Sequence, residues 1–197
     1  MDCAYELKLS DTDGSVTFTH FPTNVREFQA LQNQLLGKCK PGVLALELMA
    51  MEMYRRNRTA GAAALELCNV NTNTKSIISN LSQKFPEKRG KDTSDDSYHQ
   101  PYLIATFLKG ATQENKYQPD YPYVLSFYQN PSAYVKQGEY SYMYFGKVYS
   151  WCIMRYGEKE TAAEMVLIDD EELYLVTNCP GYYFGASPIK TWDDSLL

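Results

Sequence analysis

Few of the residues that catalytic and metal-binding chemistry depends on are present in this sequence. The chain has two histidines, His20 and His99, in 197 residues. No nucleophile elbow or H-E-x-x-H accompanies them, so triad-type and zinc-protease chemistry find no support. The five cysteines, at 3, 39, 68, 152 and 179, are odd in number and contain no C-x-x-C. That disfavours both a zinc knuckle and a secreted disulfide framework. No G-x-G-x-x-G occurs, and Gly146-Lys147 lacks the glycine spacing of a phosphate loop. No apolar run approaches the roughly 18 residues of a membrane helix. The longest candidate, Val43 to Met53, is interrupted by Glu47 and Glu52. The start, Met1-Asp2-Cys3-Ala4-Tyr5-Glu6, has neither the basic nor the apolar region of a signal peptide. Cytoplasmic location is the simplest expectation, and the sequons Asn57-Arg58-Thr59 and Asn80-Leu81-Ser82 then carry no weight. Basic charge is also in deficit, with 19 basic against 24 acidic residues, a net charge of −5. Duplex nucleic acid needs a basic footprint that releases counterions, and this balance argues against one.

What is abundant is tyrosine. Of 17 tyrosines, 15 lie between Tyr98 and Tyr183. The apolar fraction of 44% and charged fraction of 22% belong to a globular chain.

Periodicity divides the chain. Tyr5, Leu7 and Leu9 alternate, Asp11-Thr12-Asp13-Gly14 turns, and Val16, Phe18 and His20 alternate again, which predicts a hairpin. Asn24 and Glu27 form a capping-box pattern ahead of Val25, Phe28, Leu31 and Leu35, with Gly37 as the stop. Pro41 opens a second helix running to about Arg56 that is apolar nearly all round and must be central. A third helix is expected over Ala60–Cys68 and a fourth over Thr74–Phe85. Residues 86–97 read as a solvated, mobile loop. A short helix is expected from Pro101, ending at Gly110. From Pro122 the period becomes that of strands: Tyr123–Tyr128, Tyr140–Val148, Trp151–Tyr156, Glu164–Ile168 and Leu173–Thr177. Tyr140, Tyr142 and Tyr144 would then share one strand face. The expected fold is a single α+β domain over 1–197. Its N-terminal helical bundle, about 21–110 and preceded by the possible short hairpin, packs on a C-terminal antiparallel β-meander, about 120–185.

Several constellations could carry chemistry. Cys39 stands between Lys38 and Lys40 just before a helix, an environment that favours a thiolate. The acidic run 169–172 reads as a hairpin tip rather than a metal site. Glu158/Glu160 and Asp193/Asp194 read as solvated carboxylates. The stretch Ala111 to Pro122 lacks periodicity and is long for a structureless connection. Its Glu114, Asn115, Tyr117 and Tyr121 form the candidate ligand or partner surface, against the alternative of a connector pinned by its tyrosines and prolines.

The segment from Tyr102, Y-L-I-A-T-F-L-K-G-A-T-Q-E-N-K-Y-Q-P followed by Pro122-Tyr123, resembles a bacterial family of unknown function. That family's pattern is an aromatic-rich helix, then G-A-T-P-E-N-x-Y-x-P and a proline–tyrosine pair opening a strand. Here it spans Gly110 to Pro119, with Gln113 in place of proline. Phe21 to Phe28 looks like the family's P-T-x-x-E-F helix start, with Arg26 standing beside Glu27. The resemblance covers about residues 20 to 185. It implies a self-contained helical-plus-sheet domain and brings no catalytic residues.

Three functional readings follow. The first is a non-enzymatic soluble intracellular domain that binds a protein or small ligand through the sheet face and the 111–121 loop. The second is an enzyme of unrecognised type with Cys39, His99 or Glu114 in a cleft. The third is a weak nucleic-acid binder through Arg55–Arg58 and Lys84–Lys91. No catalytic residue, cofactor or metal ligand is assigned.

Overall fold

The computed structural model describes residues 4–34, 36–85, 100–133, 136–169, 171–179, 186–187 and 192. Leu35, the 86–97 loop, His99, Lys88, Arg89, Lys91 and Asp193/Asp194 lie outside the described residues. The elements run β1 (Tyr5–Leu9), β2 (Asp13–Phe18), α1 (Val25–Asn33), α2 (Lys40–Arg56), α3 (Arg58–Cys68), α4 (Asn71–Lys84), β3 (Tyr123–Gln129), β4 (Tyr140–Ser141), β5 (Gly146–Ile153), β6 (Thr161–Ile168) and β7 (Leu173–Asn178). One-turn 3₁₀ segments lie at Leu36–Lys38 and Ala105–Phe107. Among the described residues the fold is α+β, with four helices ahead of most of the sheet.

The helix starts follow local chemistry. Asn24 caps α1, its side-chain oxygen accepting from the Glu27 N–H at 3.0 Å. The Glu27 carboxylate turns back, but one residue further than in a capping box. It accepts from the Thr23 N–H at 2.9 Å and lies 3.1 Å from His20 Nε2. Gly37 does not end α1; it sits in the 3₁₀ turn, four residues after α1 has stopped at Asn33. Pro41 opens α2 as its composition requires. Asn57 makes a one-residue corner. Its N–H closes α2 on Met53 O at 2.7 Å while its side chain caps α3 through the Ala60 N–H at 3.1 Å. α4 begins at Asn71, ahead of Thr74, because β7 holds its entry: the Val70 N–H donates to Val176 O at 3.0 Å.

The sheet is antiparallel, in the order β1-β2-β3-β5-β6-β7, with β4 on β5. Besides β5, which runs unbroken from Gly146 to Ile153 across the gap expected between Val148 and Trp151, it departs from the sequence reading in two larger places. The N-terminal hairpin is not an accessory to the helices but two strands of the main sheet, since β2 pairs β3 from Asp13↔Tyr128 to Phe18↔Tyr123. Only this pairing lets Val16 and Phe18 share a buried face with Leu125 and Phe127, and it spans more than 100 residues of chain that local periodicity does not see. Second, Tyr140–Val148 is not one strand. It breaks into β4, a turn over 142–145 and the start of β5, and Phe145 takes a left-handed φ of 53°. Gly146 fixes the break, because a Cβ there would stand 1.9 Å from Leu167 O on β6. Tyr140, Tyr142 and Tyr144 therefore share no strand face.

The core lies between one sheet face and the helices. α2 contacts α1, α3 and α4 as well as β2, β3 and β7, and Val43 through Met51 are fully buried. The short segment expected from Pro101 is a turn and a single 3₁₀ turn rather than an α-helix, but its Leu103, Ile104, Phe107 and Leu108 join that core.

Gly61 marks a close approach of α3 to α2. A Cβ there would fall 2.1 Å from the backbone nitrogen of Tyr54 on α2. Glycine-to-alanine within a helix ordinarily stabilises by about 1 kcal/mol. Here overpacking, which costs about 1–3 kcal/mol, reverses the sign. Thermal unfolding of Gly61→Ala should show a lower midpoint than wild type, and a midpoint at or above wild type would mean that α3 is free to move off α2.

Candidate functional site

The 110–122 loop is ordered by its own residues. Gly110 holds the left-handed φ of 86° that ends the preceding turn. Asn115 then works as an internal staple. Its oxygen accepts from the Thr112 and Gln118 N–H groups at 2.9 and 3.1 Å, and its amide donates to Gly110 O at 2.7 Å and Gln118 O at 3.1 Å. These bonds replace the ladder that an irregular segment lacks. The loop is tied to the sheet through Lys109, whose N–H donates to Val124 O and whose carbonyl accepts from the Asp120 N–H.

Tyr117, expected at a binding surface, is fully buried. Its ring stacks on Tyr102 at 5.1 Å. Its hydroxyl lies 2.8 Å from both the Glu158 carboxylate and the Ser187 carbonyl. Burial and the carboxylate together push the phenol up, so it remains a donor. Burial alone would raise Glu158. The Ser187 N–H, the Tyr117 hydroxyl and Arg155 outweigh it and hold the carboxyl below its ordinary value. Tyr117 is therefore an anchor: a tyrosine whose polar tip finds its partner inside. Glu114, Asn115 and Tyr121 are the exposed members of the expected set, and Tyr121 stands 69% exposed, edge-on to Tyr123.

Cys39 occupies the cap position before α2. Burial pushes its thiol up, overriding the Gly42 N–H and Lys40, so the electrostatic case for a thiolate fails. Its surroundings, Leu36, Lys40 and Gly42, have no member in common with those of Glu114, whose carboxylate bonds within its own loop turn. The arginines of the 55–58 cluster are engaged internally. Arg55 and Arg56 both bond to Glu52, which is wholly buried, at 2.7 Å. Arg58 bonds to Phe85 O at 2.5 Å and lies over the Tyr54 ring.

Sequence reasoning missed a buried polar cluster around Glu47. The carboxylate is completely enclosed. It accepts from Cys68 Sγ at 3.2 Å and Cys179 Sγ at 3.7 Å, and from Asn69 Nδ2. Asn73 extends the network from Asn69 to Val176 O and Cys179. The signal was visible as a carboxylate interrupting an apolar helix, because such a group must find donors inside. Burial pushes Glu47 up to about 7 against the pull of its donors. Burial and Glu47 hold both thiols well above their ordinary range, so neither is a ready nucleophile. Among the described residues no group of three or more His, Cys, Asp or Glu side chains could hold a metal ion. No described helix is long and apolar enough to cross a membrane.

A family model described as a domain of unknown function (DUF6935) matches residues 20–190. The chain belongs to that family. No curated protein and no solved structure matches it. The family match takes in the Glu47 cluster, the 110–122 loop and the turn between β4 and β5 alike.

Two predictions come from these groups. Glu47 has a folded-state pKa above its unfolded value, so its contribution to stability is full below about pH 4.5 and is lost as pH rises through about 7. The shift corresponds to about 3 kcal/mol. Glu47→Gln should flatten the fall in stability between pH 5 and 8, measured by denaturant unfolding; parallel profiles for the two proteins would contradict the assignment. Tyr117→Phe keeps the buried ring but removes a hydrogen bond to a carboxylate, and should cost about 1.5–3 kcal/mol at pH 7. An unchanged denaturation midpoint would show that the loop is held by something else.

Proposed function

We propose that the chain is a non-catalytic domain that binds a protein partner through the turn between β4 and β5. The observation that carries this reading is exposure. Tyr142, Met143 and Phe145 stand 83%, 77% and 72% exposed on one short turn, and Tyr140 packs edge-on to Tyr142 at 5.2 Å. Large apolar side chains gathered in this way mark interaction sites in soluble proteins. Aromatic residues and methionine are also the types that interfaces favour. Beside the turn runs a groove of about 380 Å³ lined by Lys136, Glu139, Tyr140, Met143, Val148 and Glu164, which mixes apolar wall with charge of both signs.

The backbone supports the same reading. Phe145 is a bulky residue at positive φ, a position where glycine would sit without strain. Strain kept at an exposed side chain is most economically explained by a use for that side chain. Glu114 and Tyr121, the outward residues of the 111–121 loop, form a second and smaller candidate contact.

Phe145→Gly separates function from folding. It should stabilise the domain by about 1 kcal/mol by relieving the left-handed strain, while reducing the recovery of partner proteins in quantitative affinity capture against wild-type bait. Tyr142→Ser should reduce recovery in the same way with little effect on stability. Equal recovery by wild type and both variants would overturn the reading.

A further inference from the structure

The two ends of the sheet are finished differently. β7 is covered on its outer side by Asn69 and Val70, which pair with Val176. β1 has no such cover: among the described residues no backbone hydrogen bond reaches its outer side. The direction of its backbone groups follows from two bonds beyond the strand ends. The Ser10 N–H donates to Asp13 O at 2.9 Å, and the Gln129 N–H donates to Thr12 O at 2.6 Å. With the register Lys8↔Ser15 and Glu6↔Thr17, antiparallel alternation points the N–H and C=O groups of Glu6 and Lys8 at β2. Those of Tyr5, Leu7 and Leu9 then point outward.

Exposed edges of this kind are normally blunted by proline, a bulge or charged side chains, lysine above all. β1 has no proline, its register with β2 is unbroken, and its one lysine is matched by a glutamate two residues away. Leu9 is half exposed on the outer end.

We propose that β1 pairs antiparallel with β1 of a second copy of this chain, about a twofold axis at Leu7, joining two sheets into one. What commits the edge to a second copy is charge. Read antiparallel about its centre, Tyr-Glu-Leu-Lys-Leu complements itself. Glu6 falls opposite the partner's Lys8, Leu7 opposite the partner's Leu7, and Tyr5 opposite the partner's Leu9. Moving the axis to residue 6 or 8 places like charges face to face, which is unfavourable. The hydrogen-bond phase agrees. Tyr5, Leu7 and Leu9 exchange backbone bonds, and the charged pairs fall at the non-hydrogen-bonded positions, where facing side chains come closest. Glu6 and Lys8 already lie on one face, 3.5 Å apart and largely exposed. Pairing therefore sets four charges in alternating order without moving either side chain far. A closed twofold contact uses the same patch on both copies and cannot propagate into fibres.

A five-residue edge is smaller than a standard interface, so the association is concentration-dependent. Sedimentation equilibrium of the full chain should show the mass rising from 22.6 kDa to twice that value with concentration. Glu6→Lys and Lys8→Glu each place like charges across the axis on both sides, and each alone should weaken self-association about tenfold or more. An equimolar mixture of the two variants should dimerise again, because a doubly basic strand then faces a doubly acidic one. Both positions are exposed, and circular dichroism of each variant should match wild type. A wild type that stays monomeric at high concentration, a dimer that neither variant weakens, or a mixture that stays monomeric would each overturn the proposal.

Discussion

The structure depends on the enclosure of α2. A helix that is apolar on every side has no face to give to water, so it must be surrounded. The sheet covers one side of it, and α1, α3, α4 and the 3₁₀ turn Leu36–Lys38 pack on others. This requirement explains why the N-terminal hairpin crosses the molecule to pair with β3: β2 closes the sheet over the start of α2, where Gly14 lies against Pro41. It explains also why α3 must carry a glycine where it meets Tyr54.

Enclosure has an electrostatic consequence. α2 carries two carboxylates that cannot reach solvent, and each is resolved differently. Glu52 is neutralised by the guanidinium groups of Arg55 and Arg56 from its own helix. Glu47 meets no cation among the described residues and gathers weak donors instead, two thiols and an amide from α3, its C-cap and the residue after β7. The first arrangement pairs the carboxylate with two cations; the second raises the proton affinity of the Glu47 carboxyl. Cys68 and Cys179 are thereby held as thiols by the demands of packing.

How much of this was legible depends on how local the determining interaction is. The Asn24 and Pro41 helix starts, the apolar α2 and the Gly110 stop were readable because each rests on neighbours within a turn. The joining of the hairpin to the sheet was not, because pairing partners more than 100 residues apart leave no mark on periodicity. The split of Tyr140–Val148 was hidden for the opposite reason. Its aromatic composition favours a strand, and only the close approach of Gly146 to Leu167 shows where the turn must fall. The tyrosine excess divides on structural grounds. Tyr102 and Tyr117 anchor the inside, Tyr123, Tyr149 and Tyr174 pack on the core from the sheet, and Tyr121, Tyr140 and Tyr142 face water. Of the four residues expected on the 111–121 surface, Tyr117 is buried and Asn115, though exposed, bonds to the loop's own backbone. A loop can thus carry an ordered, idiosyncratic sequence because that sequence builds the loop.

The most direct test of the central claim is native-state hydrogen exchange. If enclosure of α2 is the constraint that the fold satisfies, amides from Leu44 to Met53 exchange only through global unfolding, more slowly than those of any strand. Exchange of these amides through a local opening, while the strands β5 and β6 stay protected, would contradict the account.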